Sequence, residues 1–198
     1  MDGSQVQVVG DPRPVALIAC RIFEALGIPY LLGGSMASTF HGEPRATLDA
    51  DFAVHLRPED VGMLFRALAD QFYVDELSVL EAATSKRMFN VIHSKAFIKV
   101  DVHVREATGH SAEEMSRAAR VELLEGEVVR VATPEDTVLR KLWWYRMGDE
   151  ASDRQWRDVI GVLQLSELKL DEEYMRLWSD SLGVRDLFDS ALREVEPS

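Results

Sequence analysis

The sequence predicts an α+β fold: a mixed β-sheet core flanked by helices to about residue 132, then an all-helical part over residues 133–198. Three observations carry this. Short apolar or alternating stretches at 30–32, 47–55, 88–93 and 96–105 have the period of strands. Proline-opened segments with helical apolar spacing interleave with them. At Thr133-Pro134-Glu135 the composition shifts, and helical patterning runs on from there. A chain of 198 residues is one domain or one domain with a small appendage.

Taken in order, Pro12 and Pro14 open a helix whose apolar positions are Val15, Ile18, Ile22, Phe23 and Leu26, and Gly27 with Pro29 stops it. Residues 30–32 read as a short buried strand. Gly33-Gly34 follows, with Ser35 placed to cap a helix from Met36 to about His41. Residues 42–44 are a loop, 47–55 a strand, and Pro58 starts a helix to Ala69. Two strands at 88–93 and 96–105 turn at Ser94-Lys95, and 113–118 is a short helix. Residues 120–123 and 127–131 flank Glu125-Gly126 as a hairpin. Thr133 is an N-cap with Pro134 at the first helical position. Helices follow at 135–147, 152–163, 171–180 and 185–195.

Composition excludes several classes. Apolar residues make up 46%, enough for a packed core and too many for a disordered chain. The net charge of -12 repels nucleic acid at long range, and the 22 Lys and Arg form no basic patch among 34 acids, so there is no strong nucleic-acid signal. Cys20 is the one cysteine; it sits in an apolar run and reads as a buried small hydrophobe, which suits a reducing cytoplasm. The first residues lack the pattern of a signal peptide, and no apolar run is long enough to cross a membrane. The expected location is the cytoplasm. There is no Cys/His zinc pattern, no Gly-Lys-Ser/Thr phosphate loop and no Gly-x-Ser-x-Gly elbow.

The candidate chemistry lies in three places. Asp49 and Asp51 are two apart in a predicted strand, so their carboxylates share a face. Two close anions need a cation between them, and Mg²⁺ takes carboxylate and phosphate oxygens. Asp101 stands among the β-formers Ile98-Lys99-Val100 and Val102-His103-Val104. If its strand lies beside the first, three carboxylates converge, enough for two ions about 3.5–4 Å apart that clamp the oxygens of a phosphoryl transfer. Gly33-Gly34-Ser35 joins a strand to a helix 15 residues before Asp49, counted from Gly34; glycine admits close approach of a phosphate, and the helix start offers free N–H groups. His103 shares Asp101's face and takes no catalytic role. Trp144 and Met147, spaced with Leu139 and Leu142, read as a core seam, Ser85-Lys86-Arg87 as a solvated loop, and Asp153, Arg154, Arg157 and Asp158 as a surface ion-pair helix.

The stretch Gly33-Gly34-Ser35-x-x-Ser38, His41-Gly42, Arg45-x-Thr47-x-Asp49-x-Asp51 and the later Val100-Asp101-Val102 resembles the nucleotidyltransferase superfamily related to DNA polymerase beta. Within it, the chain is similar to small bacterial proteins of the AbiEii toxin type, which also carry Pro-Glu-Asp, here Pro134-Glu135-Asp136, then a lysine, here Lys141, and a helix of mixed charge, here with Arg154 and Asp158. The resemblance spans about residues 15–163 and departs at Ala50, where a larger aliphatic is common. It implies Asp49, Asp51 and Asp101 as metal ligands, with Asp101 also the base. It implies Gly33, Gly34 and Ser35 around the nucleotide's phosphates, Arg45 reaching phosphate, and Lys141 pairing with the triphosphate. The implied reaction is Mg²⁺-dependent transfer of a nucleoside monophosphate from NTP to a hydroxyl of RNA, protein or a small molecule. The alternative is a non-catalytic nucleotide-binding or toxin–antitoxin component, with an antitoxin or regulator as partner. The resemblance also implies that helix 152–163 turns Arg154 or Asp158 to the cleft.

Overall fold

In the computed structural model, which describes residues 10–42, 46–165 and 169–195, those residues form one seven-stranded mixed sheet covered by helices. The strands are β1 (Tyr30–Leu32), β2 (Ala50–Val54), β3 (Phe72–Tyr73), β4 (Met88–His93), β5 (Lys99–Val104), β6 (Ala119–Leu124) and β7 (Glu127–Val131), in the order β3-β4-β5-β2-β1-β7-β6. β2 runs parallel to β5 and antiparallel to β1, while β1 runs parallel to β7. The central strands β5, β2 and β1 bury Val100, Val102, Val104, Phe52, Val54 and Tyr30, residue types that suit a pleated buried surface. β4 alternates buried and exposed residues, as a strand with one open face does.

One core cluster lies within residues 15–132. Helix α1 (Arg13–Ala25) buries Val15, Ala16, Leu17, Ala19, Cys20 and Phe23 against the sheet. Phe23, Tyr30 and Phe52 meet there at centroid distances of 5.4 to 6.1 Å. Helix α2 (Gly34–His41) follows β1, and a short 3-10 turn, Pro58–Asp60, leads into α3 (Val61–Ala69).

The second cluster spans Val138 to Ala191 and lies among α6 (Pro134–Met147), α7 (Asp153–Leu165), α8 (Glu172–Ser181) and α9 (Arg185–Val195). α6 has little amphipathic contrast because almost every residue from Pro134 to Leu142 is buried: it stands between the sheet side and the other helices. Asp136, fully buried, ties the parts together. It accepts from the Tyr174 hydroxyl at 2.6 Å and from the Thr133 hydroxyl at 2.9 Å, and His110 Nε2 lies 3.0 Å away. His110 belongs to α5 (Gly109–Arg117) and Tyr174 to α8, so one carboxylate gathers three elements.

Several expectations are corrected. Ser35 does not cap α2: Gly33 is the N-cap, no side chain caps it, and Ser35 lies in the first turn. The chain turns a residue early because Gly34 adopts φ +56. β2 begins at Ala50 rather than 47, leaving Asp49 one residue before the strand. β5 begins at Lys99 because Phe97 takes φ 56 in the preceding turn. β3 and helix α4 (Glu76–Ser85) have no counterpart in the sequence reading. α4 buries only Val79, Ala82 and Ala83 and leaves Leu77 and Leu80 in solvent, so no apolar stripe marks it. Its signal was Asp75, whose side chain accepts from Ser78 N–H at 2.7 Å. Lys86 is its left-handed C-cap, with Nζ bound to the carbonyls of Leu56 and Ala83. No helix among the described residues is long and apolar enough to cross a membrane.

Candidate active site

The parallel pairing of β2 with β5 sets Asp51 directly opposite Asp101. Residues directly opposite on neighbouring strands project to the same face. Beside them, β1 ends at Leu32, and Gly33 N–H donates to the Asp51 carbonyl at 2.8 Å, bending the chain across the head of β2. The next residue leaves no room for a side chain: a Cβ on Gly34 would stand 2.0 Å from Asp51 Oδ2. Backbone and carboxylate thus touch at a position that only glycine can fill. The Ser35 backbone N–H donates to the Asp51 carboxylate.

Gly33, Gly34, Ser35, Asp49, Asp51, Asp101 and Lys141 line one cleft of about 440 Å³. Its other wall comes from α6 and α7 and includes Thr137, Arg140, Trp144, Arg154 and Gln155. Arg45 lies outside the described residues. Thr47 donates its hydroxyl to the Asp49 carbonyl at 3.2 Å.

Burial pushes the Asp51 carboxyl up from the usual carboxylate range, and the Asp101 and Asp49 charges add to it, while Lys141 and the Ser35 N–H pull the other way. Lys99, on β5, sets its ammonium 2.6 Å from Asp101 Oδ2 and 3.7 Å from Asp49 Oδ2. Asp101 Oδ1 is enclosed and has no hydrogen-bond partner among the described residues. The donors fit a divalent cation: three hard carboxylates, one unspent enclosed oxygen, and a side-chain cation already bridging two of them. Among the described residues, no three His, Cys, Asp or Glu side chains are gathered closely enough to hold an ion as they stand.

Lys141 lines the cleft but is buried and paired with Asp158 of α7 at 2.6 Å. Arg154, one turn earlier on α7, donates to the Ser35 hydroxyl at 3.2 Å. Helix α7 therefore turns Arg154 to the cleft and Asp158 to the cleft-lining Lys141, rather than forming a surface ion-pair face. His41 Nε2 meets the Ala132 carbonyl at 2.7 Å, fixing the end of α2 to the end of β7. A Cβ on Gly42 would lie 3.0 Å from Val162 N, so α7 passes close by.

Trp144 corrects the core-seam reading: Leu139 and Leu142 are fully buried, but Trp144 is 39% and Met147 62% exposed. Trp144 faces the cleft, its ring 5.4 Å from that of His103. Arg105, Glu114 and Arg140 also line it and were not singled out from the sequence. Arg105 continues the every-second-residue series Lys99, Asp101, His103, which was the available signal.

A family model described as nucleotidyl transferase AbiEii toxin, type IV TA system, matches residues 16–192. No curated protein matches the chain in sequence. Among solved structures it is similar to an antigenic nucleotidyltransferase-like protein from Paracoccidioides brasiliensis, at 16% identity over 91% of each chain and a TM-score of 0.54. It is also similar to ANT(2")-Ia in complex with adenylyl-2"-tobramycin, at 13% identity, 87% of this chain, 96% of that one and a TM-score of 0.53. A third is the lincosamide antibiotic adenylyltransferase LnuA bound to lincomycin, at 10% identity, 79% and 98% coverage and a TM-score of 0.51. At such identities the likeness is one of fold, a mixed sheet under helices. The family match runs through the sheet, the carboxylates and the helical wall, and the chain belongs to the AbiEii nucleotidyltransferase family.

Proposed function

We propose that the protein transfers a nucleoside monophosphate from an NTP to a hydroxyl acceptor and releases pyrophosphate. The observation that carries this is the register of Asp51 against Asp101 beneath the Gly33-Gly34 turn. In this reading the turn and the first N–H groups of α2 hold the triphosphate. Arg154 and Lys141 supply positive charge from the opposite wall, Lys141 by exchanging Asp158 for phosphate. Arg45 is a further phosphate contact implied by the family.

Asp49, Asp51 and Asp101 would hold Mg²⁺, which neutralises charge on the phosphates as the leaving oxygen departs. The acceptor's oxygen attacks the α-phosphorus, a P–O bond forms, the bond to pyrophosphate breaks, and the hydroxyl proton passes to Asp101. Asp101 Oδ1 suits this because Lys99 engages only the other oxygen. The family description adds an antitoxin as the natural partner. Assay with α-³²P NTPs and cell lysate tests the reading: wild type labels an acceptor, and Asp101→Asn binds NTP without labelling. Labelling by Asp101→Asn at the wild-type rate would overturn it.

One observation favours a second reading, a nucleotide-binding component without catalysis. The Lys99 ammonium occupies the space between Asp49 and Asp101. If Lys99 serves as a resident cation, NTP binds equally with and without Mg²⁺ and no label is transferred.

A further inference from the structure

Beyond the three carboxylates, the same face of β5 carries His103 and then Arg105, just past the strand's end. At about 3.3 Å per residue, the Arg105 backbone lies about 13 Å along the strand from Asp101. The Gly33-Gly34 turn is at the other end, level with Asp51. Arg105 is therefore well placed for the second substrate and poorly placed for the triphosphate.

Arg105 is unusual in its surroundings. It lines the cleft half-buried, its Nε is enclosed without a hydrogen-bond partner, and it makes no ion pair among the described residues. The neighbouring carboxylate, Glu114, accepts two hydrogen bonds from Arg140 on Oε2, at 2.9 and 2.5 Å, and makes no ion pair with Arg105. Burial, then Arg140, lowers Arg105 itself to about 10. The Arg140–Glu114 pair balances itself, so one positive charge is left over. Removing an unpaired guanidinium from water is costly, and stability alone gives no reason to keep one. It lies over the rings of Trp143 and Trp144 at 5.6 and 5.8 Å, and Trp144 presents free ring surface to the cleft. Thr137, two turns before Trp144 on α6, is buried in the same wall with its hydroxyl unpartnered.

We propose that this end of the cleft binds the acceptor substrate through an anionic group, a phosphate or a carboxylate, seated on Arg105, with an adjoining planar ring against Trp144. The cleft is then electrically divided: carboxylates and metal at one end, a guanidinium at the other, and the acceptor's hydroxyl between them at Asp101. The assignment of the ligand as acceptor rests on the transferase reading; the pocket's chemistry does not.

Calorimetry on the full chain tests it with four probes: phenyl phosphate, benzoate, methyl phosphate without a ring, and benzyl alcohol without a charge. Wild type binds phenyl phosphate or benzoate more tightly than either incomplete probe, and the tighter of the two identifies phosphate or carboxylate as the group. Arg105→Gln weakens that binding about tenfold or more, Arg105→Lys recovers part of it, and Trp144→Leu weakens the ring-bearing probe while leaving methyl phosphate unchanged. The melting temperature of Arg105→Gln does not fall, because an unpaired charge has been removed. Equal probe affinity in wild type and Arg105→Gln, or binding of no probe, overturns the proposal. Arg105-dependent binding without any nucleotide transfer keeps the pocket and discards the transferase reading. Transfer with an acceptor KM unchanged by Arg105→Gln discards the pocket alone.

Discussion

The two walls of the cleft are built on different terms. The sheet wall fixes its carboxylates by register: Asp51 faces Asp101 because β2 and β5 pair in parallel, and Gly34 is locked against Asp51 by contact. The helical wall places its charges through long side chains that already have partners, Lys141 on Asp158 and Arg154 on Ser35. On the proposed reading, the first wall is already arranged for its ligand, and the second would exchange its present partners for phosphate. The first is set by strand pairing and a glycine contact, the second by side-chain pairs between helices.

Substitutions on each side test this contrast. Asp101→Asn, on the sheet side, lowers transfer by at least about 100-fold with NTP affinity retained, measured by labelled NTP and calorimetry. Asp158→Asn leaves the Lys141 ammonium without its buried counter-ion and costs about 3 kcal/mol in urea unfolding; the double variant Asp158→Asn with Lys141→Met recovers much of that. An Asp158→Asn protein as stable as wild type would mean that the helical wall is looser than its geometry implies. Gly34→Ala forces a Cβ into Asp51 at positive φ, costing about 1–3 kcal/mol and nucleotide binding with it.

A smaller effect concerns acid. His103 stays neutral when folded, held at about 4 by burial and Arg105, against 6.5 unfolded. The unfolded chain therefore takes up the proton first as pH falls. The stability is complete above pH 6.5 and is lost on descending toward 4, about 2 kcal/mol by pH 5. His41 and His55, also lowered by burial, act in the same sense, and Asp51, raised by burial and Asp101, acts in the opposite one. His103→Gln should flatten the difference between urea midpoints at pH 7 and pH 5. Smallest is Lys99→Ala, which vacates the space between Asp49 and Asp101 and raises divalent-cation affinity a few-fold, read by Mn²⁺ titration.

The sheet wall was legible in sequence because its logic is local. Period two along a strand puts Asp101 on a face, and a Gly-Gly turn before a helix announces close approach. The helical wall was legible only in outline. Nothing in the spacing of Trp144 separates a ring in the core from a ring at a cleft, since both follow the helical period; the sheet's position decides which. Arg105 shares Asp101's face by the period-two count, but at the end of the expected strand 96–105 it reads as solvated until α5 and α6 close over it. α4 was missed because its buried side is made of Val79 and two alanines, too small a stripe to contrast with Leu77 and Leu80 outside.

The facing of Asp51 and Asp101 has a consequence for how such chains diverge. What must be conserved is parity, not distance. A segment of any length inserted in the loops between β2 and β5 leaves both carboxylates in place. A single residue inserted within β5 before Asp101, by contrast, turns that side chain to the opposite face and empties the site, while leaving composition and sequence identity almost untouched. Relatives that have lost the activity can therefore retain every acidic residue, and the count of residues along one strand is a sharper criterion for them than the presence of the aspartates.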